Sequence, residues 1–156
     1  MEVFKDYYNN TVKLVIGNET FSKQPKHVWV ITRYKKQWLL TKHLDRGIEF
    51  PGGKVEDGEI AEEAAIREVK EETGGLISNL YFIGQYHVDG KGGEIIKNIY
   101  FGEVDVLEEE EHYYETEGPV LMKELPANLK QDHRFSFMMK DYVLKKSMQV
   151  IRERFL

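Results

Sequence analysis

The sequence predicts an α/β fold, a mixed β-sheet covered by helices. Three observations point there. Several segments are rich in β-branched and aromatic residues, the signature of strands. One mid-chain segment and one C-terminal segment carry helical spacing instead. No repeat, low-complexity linker or shift in composition interrupts the 156 residues, so a single domain over 1–156 is expected.

The strand segments come first. "TVKLVIG" (11–17), "HVWVITRY" (His27–Tyr34) and "QWLLTKH" (Gln37–His43) read as strands, and the polar "YKKQ" between the last two suits a hairpin turn. "EFPGGK" (49–54) reads as a loop after a short strand. Residues 60–73 read as a helix of alanines and glutamates, with Asp57 or Gly58 as its cap and Gly74 and Gly75 as its end. "LYFIGQYHV" (80–88) and "EIIKNIYFGEV" (94–104) are two further strands, joined by the hairpin-like "DGKGG". After the acidic run 108–118, "PVLMKELP" reads as strand then turn, and 135–155 has helical spacing.

Composition narrows the classes of function. The chain has no cysteine, which excludes a disulfide framework, a thiolate zinc site and a cysteine nucleophile. No apolar run approaches the roughly 18 residues of a membrane span, and the acidic, aromatic start "MEVFKDYYNN" lacks signal-peptide character. A cytoplasmic protein is expected. The net charge of -5 argues against stable binding to DNA.

That charge is unevenly placed. Residues 53–75 hold eight acidic side chains against three basic ones, so this one segment accounts for the chain's whole net charge. A helix advances about 100° per residue, which puts Glu68, Glu71 and Glu72 on one arc roughly 100° wide. Ala61, Ala64 and Ala65 share that side and are small enough to leave space above it, while Ile66 and Val69 point toward a core. Like charges at i,i+3 and i,i+4 cost about 0.2–0.5 kcal/mol each, and the helix dipole disfavours acids at this end. A divalent cation removes both penalties. Carboxylates without cysteine or histidine suit Mg²⁺ or Mn²⁺ better than zinc. Arg67, one turn from Glu63 and from Glu71, can orient the carboxylates. The competing reading is a solvated acidic face laced by Glu63–Arg67–Glu71 pairs.

These residues also match a longer pattern. Gly53, Glu59, Arg67, Glu68, Val69, Glu71, Glu72 and Gly74 fall at the spacing of the Nudix box, with Gly75 standing where an aliphatic residue is usual. The chain therefore resembles the Nudix hydrolases, and the preceding "EFPGGKVE" resembles their MutT-like branch. The resemblance to that branch extends over nearly the whole chain, through "KNIYF", "GPVLMKELP" and "FSFMMKDYVL". It implies an α/β/α sandwich with the box as loop–helix–loop. It implies metal binding by Glu68, Glu71 and Glu72, a backbone ligand from Gly52 or Gly53, and a Glu59–Arg67 brace between loop and helix. The implied reaction is hydrolysis of a nucleoside triphosphate such as 8-oxo-dGTP to the monophosphate and pyrophosphate, with triphosphorylated RNA 5′ ends as further substrates.

The general base has two sources on this reading: Glu68, or Glu115 or Glu117 from the later acidic loop. Lys42, His43, Arg46 and Lys54 are the candidates for meeting the substrate's phosphates, each also readable as an ordinary surface charge. Rival activities are hydrolysis of ADP-ribose or of dinucleoside polyphosphates. A non-catalytic nucleotide sensor is a further alternative, which the intact box glutamates disfavour.

Overall fold

The computed structural model describes residues 1–156. Nine strands form one mixed sheet: β1 (Glu2–Lys5), β2 (Thr11–Ile16), β3 (His27–Tyr34), β4 (Gln37–His43), β5 (Gly47–Glu49), β6 (Gly52–Lys54), β7 (Gly75–Gly90), β8 (Gly93–Leu107) and β9 (Thr116–Met122). Two helices, α1 (Ala61–Thr73) and α2 (Tyr142–Phe155), complete the regular structure. The strand order is β1-β2-β7-β8-β3-β4-β5, with β6 added to β3 and β9 to β4. β3 and β8 run parallel and the remaining pairs antiparallel. The expected mixed sheet with covering helices is present.

Strand alternation splits the core in two. On one face, Val28, Val30 and Leu39 pack against Ala64, Ala65 and Val69 of α1. On the other, Trp29, Ile31 and Phe101 pack against Val143, Met148 and Ile151 of α2. Neighbours in β3 thus serve opposite layers. The β3–β4 hairpin turns on Lys35 and Lys36, both at positive φ (47° and 64°), as a tight two-residue turn requires.

Several expectations need correction. Ala64 and Ala65 are sealed in the core rather than leaving open space, because small side chains let α1 lie close on the sheet. Ile66 faces solvent at 45% exposure, whereas Val69 is fully buried as expected. The helix begins after Ile60, whose N–H donates to the Glu63 carboxylate at 3.0 Å, so neither Asp57 nor Gly58 is its cap. Gly74 does end it, in the left-handed conformation at φ 79°. The segment 49–54 is not all loop, since Gly52–Lys54 pairs with Val28 and its neighbours as a short strand. The C-terminal helix starts later than its apolar spacing suggests. Asp141 caps it by accepting the Val143 N–H at 2.8 Å, and residues 137–139 form a separate 3-10 turn. The N-terminal strand β1, absent from the sequence reading, pairs with β2 at the sheet edge.

A buried polar chain ties the β2–β3 loop to the α1 face. Gln85 accepts the Phe21 N–H at 2.7 Å and donates to Asn98, Asn98 donates to the Tyr100 hydroxyl, and Tyr100 donates to Glu62.

Candidate active site

The helical acids sit where α1 meets the edge strand β6. The C-terminal turn of α1 is fixed from below: the Glu72 carbonyl accepts hydroxyl hydrogen bonds from Thr41 (3.0 Å) and Thr116 (3.1 Å). Those two threonines belong to β4 and β9 and are both buried. Thus the Glu72 side chain is delivered to a set place beside β6, where the Gly52 N–H donates to it at 3.3 Å.

Glu68 lies one turn earlier against the same strand. A Cβ at Gly53 would collide with the Glu68 carboxylate. Only glycine allows the carboxylate and the β6 backbone to approach this closely. Residues 52 and 53 therefore lie beside the Glu68 and Glu72 carboxylates.

Arg67 organises the other side of the cluster. Its Nε and Nη2 donate to the two Glu59 oxygens at 2.7 and 2.9 Å, a forked pair. Nη2 also donates to the Lys54 carbonyl at 2.9 Å, and Nη1 reaches Glu68 (3.0 Å) and Glu71 (3.1 Å). The guanidinium holds Glu59 down to a pKa of about 2. The i,i+4 pairing of Arg67 with Glu71 is present, but Glu63 instead bonds the Ile60 N–H.

Glu68 and Glu72 are held above the usual carboxylate range, first by burial. For Glu72 the negative charges of Glu68 and Glu49 add to the effect. Glu49, which the sequence reading passed over, is 4% exposed and pairs with Arg46 at 2.8 Å. Its only sequence signal was its place in the segment before the box.

No group of three or more His, Cys, Asp or Glu side chains converges as a metal site, and Arg67 Nη1 donates to both Glu68 and Glu71. The donor chemistry nonetheless fits a hard divalent cation: buried, mutually repelling carboxylates beside a strand edge, with no sulfur. A cation would offset the burial and the like charges that raise the Glu72 carboxyl.

The remaining candidates divide. Lys42 pairs with Glu117 at 3.2 Å, both half exposed. His43 is buried, and its Nδ1 accepts the N–H groups of Asp45 (3.1 Å) and Arg46 (3.2 Å), so its ring shapes the turn. Lys54 is exposed, while its carbonyl serves Arg67. Glu115 has a left-handed backbone (φ 61°), and its carbonyl accepts the Leu44 N–H at 3.2 Å. The neighbouring Tyr114 N–H donates to the Glu71 carbonyl at 3.2 Å, which docks this acidic loop on the end of α1. A cavity of about 790 Å³ runs along α2 and the β1–β2 turn and touches none of the predicted site residues.

The NUDIX domain family matches residues 21–136, and the chain belongs to that family as a hydrolase. It is 57% identical over 153 residues to YtkD of Bacillus subtilis (strain 168), described there as a candidate 8-oxo-dGTP diphosphatase; the match covers 98% of this chain and 97% of YtkD. It is 56% identical to the crystallised B. subtilis pyrophosphohydrolase BsRppH, with a TM-score of 0.96 and coverage of 98% and 97%. A shorter stretch of 32 residues is 53% identical to the 8-oxo-dGTP diphosphatase of Escherichia coli (strain K12), covering 20% of this chain and 25% of that one.

Proposed function

We propose that the chain hydrolyses a nucleoside triphosphate, 8-oxo-dGTP or a close relative, to the monophosphate and pyrophosphate. Triphosphorylated RNA 5′ ends are further substrates on this reading, which treats 1–156 as one functional unit in the cytoplasm. One observation carries it: half-buried Glu68 and buried Glu72 set against the Gly52–Gly53 backbone. The relatives named for pyrophosphate chemistry support it. No helix is long and apolar enough to cross a membrane.

Glu68, Glu71 and Glu72, with a Gly52 or Gly53 carbonyl, would hold Mg²⁺ or Mn²⁺. The cation supplies charge neutralisation at the phosphates and a more acidic attacking water. Glu59 and Arg67 lock the loop to α1, so the carboxylates keep their spacing. Lys54 is the phosphate contact free of an intramolecular ion pair, while Lys42 and Arg46 must leave Glu117 and Glu49 to serve. The proton of the attacking water goes to Glu68, or to Glu115 or Glu117 from the docked loop. A base contributes about 10²–10⁴-fold, so positioning and charge carry most of the rate.

The test is a panel of 8-oxo-dGTP, dGTP, ADP-ribose, diadenosine tetraphosphate and 5′-triphosphate RNA with Mg²⁺ and with Mn²⁺, products identified. Pyrophosphate release from the triphosphates is the expected result. Predominant cleavage of ADP-ribose overturns the reading.

A further inference from the structure

The cavity of about 790 Å³ lies outside the hydrolytic cluster. From α2 it takes Leu144, Lys145, Met148 and Arg152, which recur at the three- and four-residue spacing of one helix edge. Lys5 and Tyr7 come from β1 and the β1–β2 turn, and Leu129 and Lys130 from the connection after β9. Leu129, Leu144 and Met148 are buried and make an apolar floor.

Above that floor the charge is one-sided. Five lining side chains are cationic, Lys5, Lys130, Lys140, Lys145 and Arg152, against two acids. The acids are already engaged. Asp6 accepts the Tyr8 and Asn10 N–H groups at 3.0 and 2.8 Å, and Asp141 caps α2. Lys130, Lys140, Lys145 and Arg152, by contrast, form no ion pair. Near Arg152, the Arg33 guanidinium stacks on Trp38 at 4.5 Å and is held below the usual arginine range by burial and by the Arg152 charge. The chain as a whole carries -5, so this surface is a local reversal of sign. Cations gathered without acids repel one another, and a polyanion relieves the repulsion.

The cavity also continues from the catalytic end. Ile48 of β5 ties down the segment that leads to it: the Ile48 N–H donates to the Arg134 carbonyl at 2.8 Å, and the Ser136 N–H donates to the Ile48 carbonyl at 2.9 Å. Glu49, next in the chain, is close enough to Glu72 for their charges to repel. From Ser136 the chain passes through the 3-10 turn to Met139 and Lys140, which line the cavity. A ligand with its phosphates at Glu68 and Glu72 thus meets a cationic track leading away from them to α2. Lys145 and Arg152, seven residues apart on that helix, lengthen the track by about 10 Å.

We propose that this groove carries the body of a single-stranded RNA whose triphosphorylated 5′ end occupies the hydrolytic site, holding its backbone phosphates without reading its sequence. The inference rests on the RNA part of the reading above. A free nucleoside triphosphate brings all its charge to the carboxylate cluster and leaves the distant cations unused. A strand carries one phosphate per nucleotide and meets them in succession. Proteins that hold single strands combine such a track with exposed aromatic faces on which bases stack. Tyr7 and Tyr8 supply these faces: they are 52% and 61% exposed, their rings lie 5.2 Å apart, and the Lys140 Nζ is 5.5 Å from the Tyr7 ring. An acidic peptide answers the charge but makes no use of these rings.

The experiment compares wild type with a triple variant, Lys130→Gln, Lys145→Gln and Arg152→Gln, at three exposed positions. Hydrolysis is measured on 8-oxo-dGTP and on 5′-triphosphate RNAs of two and eight nucleotides. Binding of an unstructured eight-nucleotide RNA with a 5′-hydroxyl is followed by fluorescence anisotropy across salt concentrations, with polyglutamate as a second ligand. Wild type prefers the longer RNA by roughly 10-fold or more in kcat/KM. The variant loses that gain through KM, keeps its kcat and hydrolyses 8-oxo-dGTP as wild type does. Its slope of log K against log salt is shallower by about 2, for three single-strand contacts removed. Equal losses on 8-oxo-dGTP and both RNAs mark a role in folding and overturn the inference. So does a wild type indifferent to RNA length, or a variant that keeps RNA binding and loses polyglutamate. A wild type that hydrolyses no triphosphate but binds the 5′-hydroxyl RNA through these three cations sinks the proposed reaction and upholds the groove.

Discussion

The Gly52 N–H donates to the Glu72 carboxylate at 3.3 Å, joining two residues twenty apart in the chain. The bond brings the glycine turn and the acidic helix into one site. Burial holds the Glu72 carboxyl well above the usual carboxylate range, and the charges of Glu68 and Glu49 add to the effect, while the Gly52 N–H works against it.

The first prediction concerns pH. An unfolded glutamate titrates near 4.3, whereas folded Glu72 titrates above that. The stabilisation from its folded proton is complete below the unfolded value and is lost as pH rises toward the folded one. In EDTA, wild type therefore loses stability from pH 5 to pH 8. Glu72→Gln removes this slope, because it has no charge to bury. Each pKa unit corresponds to about 1.4 kcal/mol, and each kcal/mol to about 2–4 °C in a chain of this size. Thermal melts in EDTA check it. A Tm difference between the two proteins that does not grow with pH contradicts it.

The second concerns the Arg67 fork. Arg67→Lys keeps the charge but cannot reach both Glu59 oxygens and the Lys54 carbonyl at once. The side chain is 22% exposed, so screening moderates the loss. A decrease of roughly 1–2 kcal/mol is expected in denaturant unfolding, from the lost charge-assisted bonds. Turnover falls by more than the stability change explains, since Glu68 and Glu71 lose their orienting donor.

The third contrasts two glycines. Gly53→Ala puts a methyl group against the end of the Glu68 side chain, which can swing away. Activity falls about 10–100-fold, as expected for a displaced catalytic group, with little change in Tm. Gly74→Ala places a Cβ against the Glu108 backbone carbonyl at a residue whose φ is 79°. It costs at least about 1–2 kcal/mol, because both the left-handed conformation and the fixed backbone resist it. Parallel Tm and kcat measurements separate the two effects.

The fourth concerns Asp141, whose carboxyl burial lifts to about 6. Its folded pKa exceeds the unfolded value near 3.9, so the stabilisation is full below pH 4 and lost through pH 6. Asp141→Asn keeps a cap for the Val143 N–H without a buried charge. It should match or exceed wild-type Tm at pH 8. Asp141→Ala loses the cap, at about 0.5–2 kcal/mol.

Much of the site was legible in sequence because its parts are local. Glu68, Glu71, Glu72 and Arg67 lie on one helix, whose period places them on neighbouring positions. Gly74 reads as a helix end for the same local reason. Gly75, the box's departure from an aliphatic residue, is explained only by packing: a Cβ there would stand 3.2 Å from Leu39 and 3.3 Å from Val104.

The sequence by itself determined the box, the helix, most of the strands and the type of donor that meets a cation. Only the tertiary structure decided what the carboxylates face. Whether Ala64 lines an open space or the core depends on how closely α1 settles on the sheet, which no local period encodes. Glu49 approaches Glu72, and Lys97 aligns with His27 and Tyr86, through strand pairings between distant segments. Burial then raises the carboxyls of Glu68 and Glu72 and leaves the Trp29 Nε1 without an acceptor. Desolvation is a property of the assembled fold, so the same residues read in sequence carry no trace of it.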